Sequence, residues 1–132
     1  MVTFVSDSCT GKYFNFDEYF PWQNHMRYLS CLCNRFPDRA QIINIGKSVE
    51  GRELRVIKIG KPRSDGGSKP AIWIDGGIHA REWISPAATE YVITQLLENC
   101  TDIVASFDIY VIPILNPDGY VFIGEYTISP KS

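Results

Sequence analysis

His79 and Glu82 stand three residues apart in the stretch Gly76-Gly77-Ile78-His79-Ala80-Arg81-Glu82-Trp83. At that spacing one turn of backbone can bring an imidazole and a carboxylate toward a common point. A neutral imidazole nitrogen and a carboxylate oxygen suit zinc, and a catalytic zinc site uses three protein ligands plus an open position for water. His79 and Glu82 are therefore candidate metal ligands, two of the three that such a site needs. Arg81, between them, could present a guanidinium to a substrate carbonyl or carboxylate. Gly76 and Gly77 let the chain turn sharply just before them. The competing reading is a surface histidine beside a solvated glutamate, and position in the fold separates the two.

The flanking sequence supplies such a position. Ala71 to Asp75 is a short apolar run bounded by Pro70 and Gly76-Gly77, and reads as a buried central strand. Ser85 and Pro86 read as the N-cap and first-turn proline of a helix ending near Asn99, with Ala88, Tyr91, Val92, Gln95, Leu96 and Asn99 recurring at three and four. Phe107 to Leu115 is another strand-like run, followed by the turn signal Asn116-Pro117-Asp118-Gly119. Strand, helix, strand is a βαβ unit, in which ligands gather at the carboxyl ends of the parallel strands. Upstream, the spacing predicts a helix from about Pro21 to Arg35, closed by Pro37. Gln41 to Gly46 and Leu54 to Gly60 read as an antiparallel pair joined through Ser48-Val49-Glu50-Gly51-Arg52. Lys61 to Lys69 is polar and glycine-rich, and reads as a surface loop.

With 132 residues and 45% apolar content, the chain suits a single domain. Thirteen Lys plus Arg against fifteen Asp plus Glu, with no block of like charge, argue against nucleic acid or an anionic membrane surface as partner. The longest apolar run, Ile109 to Leu115 with Pro113 inside it, falls far short of the roughly 18 residues a membrane span needs. Met1 to Val5 passes at once into Ser6-Asp7-Ser8 with no basic lead, so no signal peptide is expected in this chain. Cys9, Cys31, Cys33 and Cys100 allow three pairings and leave the redox compartment open. Cys31 and Cys33, two apart on a helix, are poor joint ligands, and the cysteines read as buried or incidental. Asn99-Cys100-Thr101 satisfies the N-glycosylation pattern, which matters only in a secreted chain. His25, the only other histidine, reads as a surface or capping residue. Asp75 reads either as a hydrogen-bond partner behind His79 or as part of its own strand-end turn.

Three stretches together resemble a known family. Ala71 to Pro86 looks like the first zinc-ligand motif of the zinc metallocarboxypeptidases of the carboxypeptidase A and B type. Asn116-Pro117-Asp118-Gly119-Tyr120 is similar to the family's Asn-Pro-Asp-Gly-aromatic turn, and Ser48-Val49-Glu50-Gly51-Arg52 to its Ser-x-Glu-Gly-Arg hairpin. With Tyr13-Phe14-Asn15-Phe16 and the helix after it, the likeness runs over about residues 12 to 122. It implies an α/β fold class: an incomplete mixed β-sheet with flanking helices, the N-terminal portion of a zinc carboxypeptidase fold. The division it implies is a polar N-terminal segment (1–11), a partial peptidase catalytic domain (12–122) and a divergent C-terminal tail (123–132).

By the same resemblance, the cofactor is Zn2+, with His79 and Glu82 as its first two ligands and Arg81 as a substrate-binding residue. The activity implied is hydrolysis that removes C-terminal residues from peptides or proteins, whose C-termini are the partners. The location implied is extracellular. The family's third ligand, a downstream histidine, has no counterpart here, and neither does its glutamate base, so no catalytic acid or base is assigned within the chain. Two ligands hold zinc weakly, and the isolated chain is expected to lack peptidase activity. The alternative is a short isoform that binds peptides or a partner without cutting.

Overall fold

The structure is a computed structural model and describes residues 9–128. Of the polar segment expected at 1–11 and the tail expected at 123–132, residues 1–8 and 129–132 lie outside the described residues. In chain order the elements are α1 (Trp22–Arg35), β1 (Ala40–Lys47), β2 (Glu53–Ile59), β3 (Ala71–Asp75), α2 (Ile84–Asn99), α3 (Thr101–Ser106), β4 (Asp108–Ile112) and α4 (Pro117–Ile128). The four strands form one mixed sheet in the order β1-β2-β4-β3.

The β-branched residues of β1 and β2 pair antiparallel, with Ile43 opposite Val56 and Ile42 opposite Ile57. Ser48 to Arg52 turns between them, Gly51 taking a left-handed φ of 83°. β2 lies antiparallel to β4, Ile57 opposite Val111. β3 lies parallel to β4, Ile72 opposite Ile109, so β3, α2 and β4 form the expected βαβ unit. Alternate residues of the two middle strands, Ile57, Ile59, Ile109 and Val111, share one core with Leu29 and Leu32 of α1 and Ile93 and Leu97 of α2. Each such side chain, removed from water, contributes about 1.5–3 kcal/mol. A disulfide joins Cys9 to Cys31 and fastens the N-terminal segment to α1. Cys33 and Cys100 are free thiols packed against the core.

Three sequence expectations are corrected. β3 is an edge strand among the described residues, not a central buried one: Ile72 is 37% and Trp73 51% exposed. Its apolar run looks the same from sequence whether or not a neighbour pairs with its free side. The buried stripe of α2 is Pro86, Glu90, Ile93 and Leu97, with Thr89, Thr94 and Leu96, whereas Ala88, Tyr91 and Val92 face outward. Polar residues on the inward stripe disguised it. The segment between α2 and β4 carries the short helix α3. Asn116 opens α4 instead of closing a turn: its Oδ1 accepts the Gly119 N–H at 3.0 Å, with Pro117 at the first helical position. α4 runs unbroken through residues 122 and 123.

Gly77 sits where β3 and β4 leave the sheet, at φ 68°, and a Cβ there would lie 2.9 Å from both Ile114 Cα and Pro113 O. Gly77→Ala combines a left-handed backbone with a backbone clash. It is expected to cost about 1–3 kcal/mol, read as a lower urea midpoint at unchanged m-value.

Candidate metal centre

Beyond β3 the chain is sewn to the exit of β4. Gly76 N–H donates to Ile112 O at 2.9 Å, Leu115 N–H to Gly76 O at 2.9 Å, and Asn116 N–H to Gly77 O at 3.0 Å. Gly77 N–H donates to Ser85 Oγ at 3.0 Å, so Ser85 anchors this crossing where sequence reading gave it a helix cap. From that fixed point the candidate ligands emerge on a tight turn. Glu82 N–H donates to His79 O at 3.1 Å, and Ser85 N–H to Glu82 O at 2.9 Å leads into α2.

His79, Arg81 and Glu82 are all exposed, and their side chains have no hydrogen bond or ion pair among the described residues. The turn therefore presents a nitrogen donor, an oxygen donor and a guanidinium with nothing to give up before binding. That fits part of a zinc site. No group of three or more His, Cys, Asp or Glu placed to hold a metal occurs among the described residues. Asp75 does not serve His79: its Oδ2 accepts from Trp73 Nε1 at 3.0 Å. Beside the turn lies an open groove of about 430 Å³ lined by Tyr19, Arg81, Glu82, Trp83, Ile84 and Ile123.

Behind the turn is a polar cluster that sequence reading missed. Trp83 stacks on Tyr120 with ring centroids 4.8 Å apart, and Tyr19 meets Trp83 edge-on. The Tyr120 hydroxyl donates to Phe20 O at 2.6 Å, and burial pushes its phenol pKa up, so it stays a donor. His25 Nε2 lies 2.9 Å from that hydroxyl oxygen and 3.1 Å from Phe20 O. The carbonyl only accepts, and the Tyr120 proton is already used, so Nε2 carries a hydrogen. Nδ1 and Glu90 Oε2, 2.7 Å apart, share the next proton. His25 is thus 3% exposed and clamped between α2 and α4, which corrects its reading as a surface or capping residue. Its partners lie 65 and 95 residues away, beyond any local pattern. Glu90 was findable: it falls on the stripe Pro86, Glu90, Ile93, Leu97.

The hairpin and the start of α4, read from sequence as separate motifs, meet. Asp118 accepts from Ser48 Oγ at 2.7 Å, from Arg52 Nη1 at 2.9 Å and from Glu50 N–H at 3.1 Å. The Ser48 hydroxyl and the Arg52 guanidinium hold its carboxyl below the usual carboxylate range.

The comparisons with known proteins bear on this mixed sheet, whose βαβ crossover leads straight out of the His79–Glu82 turn. The zinc carboxypeptidase family model matches residues 25–129. Carboxypeptidase B of Helicoverpa zea is 40% identical over 114 residues, covering 85% of this chain and 27% of the relative. Carboxypeptidase B of Astacus astacus is 39% identical over 114 residues, covering 84% and 35%. The crystal structure of carboxypeptidase A from Helicoverpa armigera superposes with a TM-score of 0.77 at 31% identity, covering 84% of this chain and 28% of that one. The chain belongs to the zinc carboxypeptidase family and spans about a quarter to a third of the length of these relatives.

Burial raises the Glu90 carboxyl, while the hydrogen bond from His25 opposes that shift in part. A raised folded-state pKa means that folding retains a proton the unfolded chain releases. Its contribution to stability is therefore present below the ordinary Glu range and lost as pH rises through the folded value. Relative to wild type, Glu90→Gln should gain stability progressively as pH is raised above about 4.3, the ordinary Glu pKa; denaturation at a series of pH values reads the difference. His25→Ala leaves a fully buried carboxyl without its hydrogen-bond partner and is expected to cost about 1–3 kcal/mol.

Proposed function

We propose that this chain is the N-terminal part of the catalytic domain of a zinc metallocarboxypeptidase that removes C-terminal residues from peptides or proteins. In this reading His79 Nδ1 or Nε2 and the Glu82 carboxylate are two of three zinc ligands. The observation that carries it is their joint placement, exposed and without side-chain partners among the described residues, on one tight turn at the carboxyl end of β3. When bound, zinc supplies Lewis-acid polarisation of a scissile carbonyl and a lowered pKa for a coordinated water. The remaining work falls to the chain. The crossing at Gly76 and Gly77 fixes where the two donors stand. The Trp83–Tyr120 stack backs the turn from behind. Arg81, whose guanidinium has no partner among the described residues, binds and orients a substrate carbonyl or carboxylate in the adjoining groove. The third ligand and the acid–base residue belong to residues other than these. The Cys9–Cys31 disulfide supports an extracellular destination.

With two ligands only, the 132-residue chain should hold zinc weakly and release no C-terminal residue from a test peptide. Stoichiometric zinc after dialysis, together with such release, would refute the incomplete-site reading. The residual affinity, read by calorimetry, should fall in both His79→Ala and Glu82→Ala by more than about tenfold, the least that loss of even a supporting partner costs. Unchanged affinity in either variant removes that residue from the ligand set.

A further inference from the structure

Asn99-Cys100-Thr101 is the one place in the chain where Asn is followed by a non-proline residue and then Ser or Thr. The metal centre makes no use of it. Sequence alone says little, because such a tripeptide buried in a core or locked inside a helix could not carry a glycan. The structure places this one at a break. α2 ends at Asn99, α3 begins at Thr101, and Cys100 between them leaves helical geometry at φ −120° and ψ 54°. Asn99 and Thr101 are exposed, while the Cys100 side chain turns inward against the core. Cys100 is a free thiol, so no cross-link holds the tripeptide to a distant strand. Asn99 Nδ2 makes one hydrogen bond, to Gln95 Oε1 at 2.9 Å on the same outer face of α2.

Two further features agree. The Cys9–Cys31 disulfide belongs to the oxidising compartments in which N-glycosylation takes place. Asn99 also lies at the far end of α2 from the His79–Glu82 turn. Sixteen helical residues separate them by about 24 Å along the axis, at 1.5 Å per residue, so a glycan there leaves the groove open.

We propose that Asn99 is an N-glycosylation site, carrying an oligosaccharide at the α2–α3 break on the side of the domain remote from the metal-ligand turn. The co-reactant is a lipid-diphosphate-linked oligosaccharide. Nδ2 forms a bond to C1 of the first sugar, the C1–O bond to the diphosphate breaks, the lipid diphosphate leaves with the bonding pair, and Nδ2 loses one proton. The remaining Nδ2 hydrogen still reaches Gln95 Oε1, so modification and the folded helix end are compatible.

The test is translation of the full chain behind a cleavable signal sequence in the presence of microsomes, scored on the protease-protected fraction. The expected result is a slower-migrating species that an amidase specific for N-linked glycans converts back, with Asn99 becoming Asp. It should be absent in Asn99→Gln and in Thr101→Ala, which leaves the acceptor itself intact. Thr101→Ser, which keeps the hydroxyl, should restore it. The modified species should also carry the Cys9–Cys31 disulfide under non-reducing conditions. A translocated chain whose Asn99 stays unmodified, or a glycan found only on chains lacking that disulfide, overturns the proposal.

Discussion

The geometry of the ligand turn depends on two glycines that let β3 and β4 cross within backbone contact as they leave the sheet. A side chain on Gly77 would press on Ile114 Cα and Pro113 O, and one on Gly76 would meet the Thr89 hydroxyl and Pro113 O. Because neither has one, three main-chain hydrogen bonds join the two strand exits, and Ser85 adds a fourth from the start of α2. Backbone groups removed from water in this way are costly to leave unpaired, so the crossing has little freedom to drift. The candidate ligands inherit that rigidity only two residues later. A site that must hold donors to a fraction of an ångström is better built from such a point than from a free loop.

The site and its support divide the polar chemistry of the domain between them. On the turn, His79, Arg81 and Glu82 are exposed and unpaired among the described residues. Directly behind, His25, Glu90 and Tyr120 are buried and bonded to one another or to Phe20 O. A buried polar group is tolerable when its partners are in place, and the chain Glu90–His25–Tyr120 satisfies nearly all of its capacity. The exception is Glu90 Oε1, which has no partner among the described residues. A carbonyl oxygen of a protonated carboxyl is far less expensive to leave so than half of a carboxylate, which agrees with the upward shift that burial imposes. This network holds the N-terminal end of α1, the middle of α2 and the first turn of α4 together by directional bonds, where apolar packing alone would allow sliding.

Local signals were legible wherever chemistry and geometry are both local. Helix α1, the β1–β2 hairpin, the βαβ unit and the strand-end location of His79 follow from periodicity, capping residues and glycine placement. The family follows from three short motifs in order. What escaped was decided by long-range pairing. The edge position of β3 depends on which strand lies beside it. The inward face of α2 was misjudged because Thr89, Glu90 and Thr94 spend their polarity on Ser85 O, His25 and Tyr28. The turn reading of Asn116-Pro117-Asp118-Gly119 was a correct reading of its chemistry assigned to the wrong side of a helix boundary, since the same residues that stop a strand also cap a helix.

Asp118 stands 66 residues after Arg52 and 70 after Ser48, yet it takes the hydrogen bonds of both. On a ribosome adding roughly 5–20 residues per second, the hairpin leaves the tunnel several seconds before its anchor exists. The nearer counter-charge of Arg52 is Glu50, two residues away. The β1–β2 hairpin is thus a provisional structure that becomes permanent when α4 arrives. A contact of such high sequence separation forms only after everything between has been threaded.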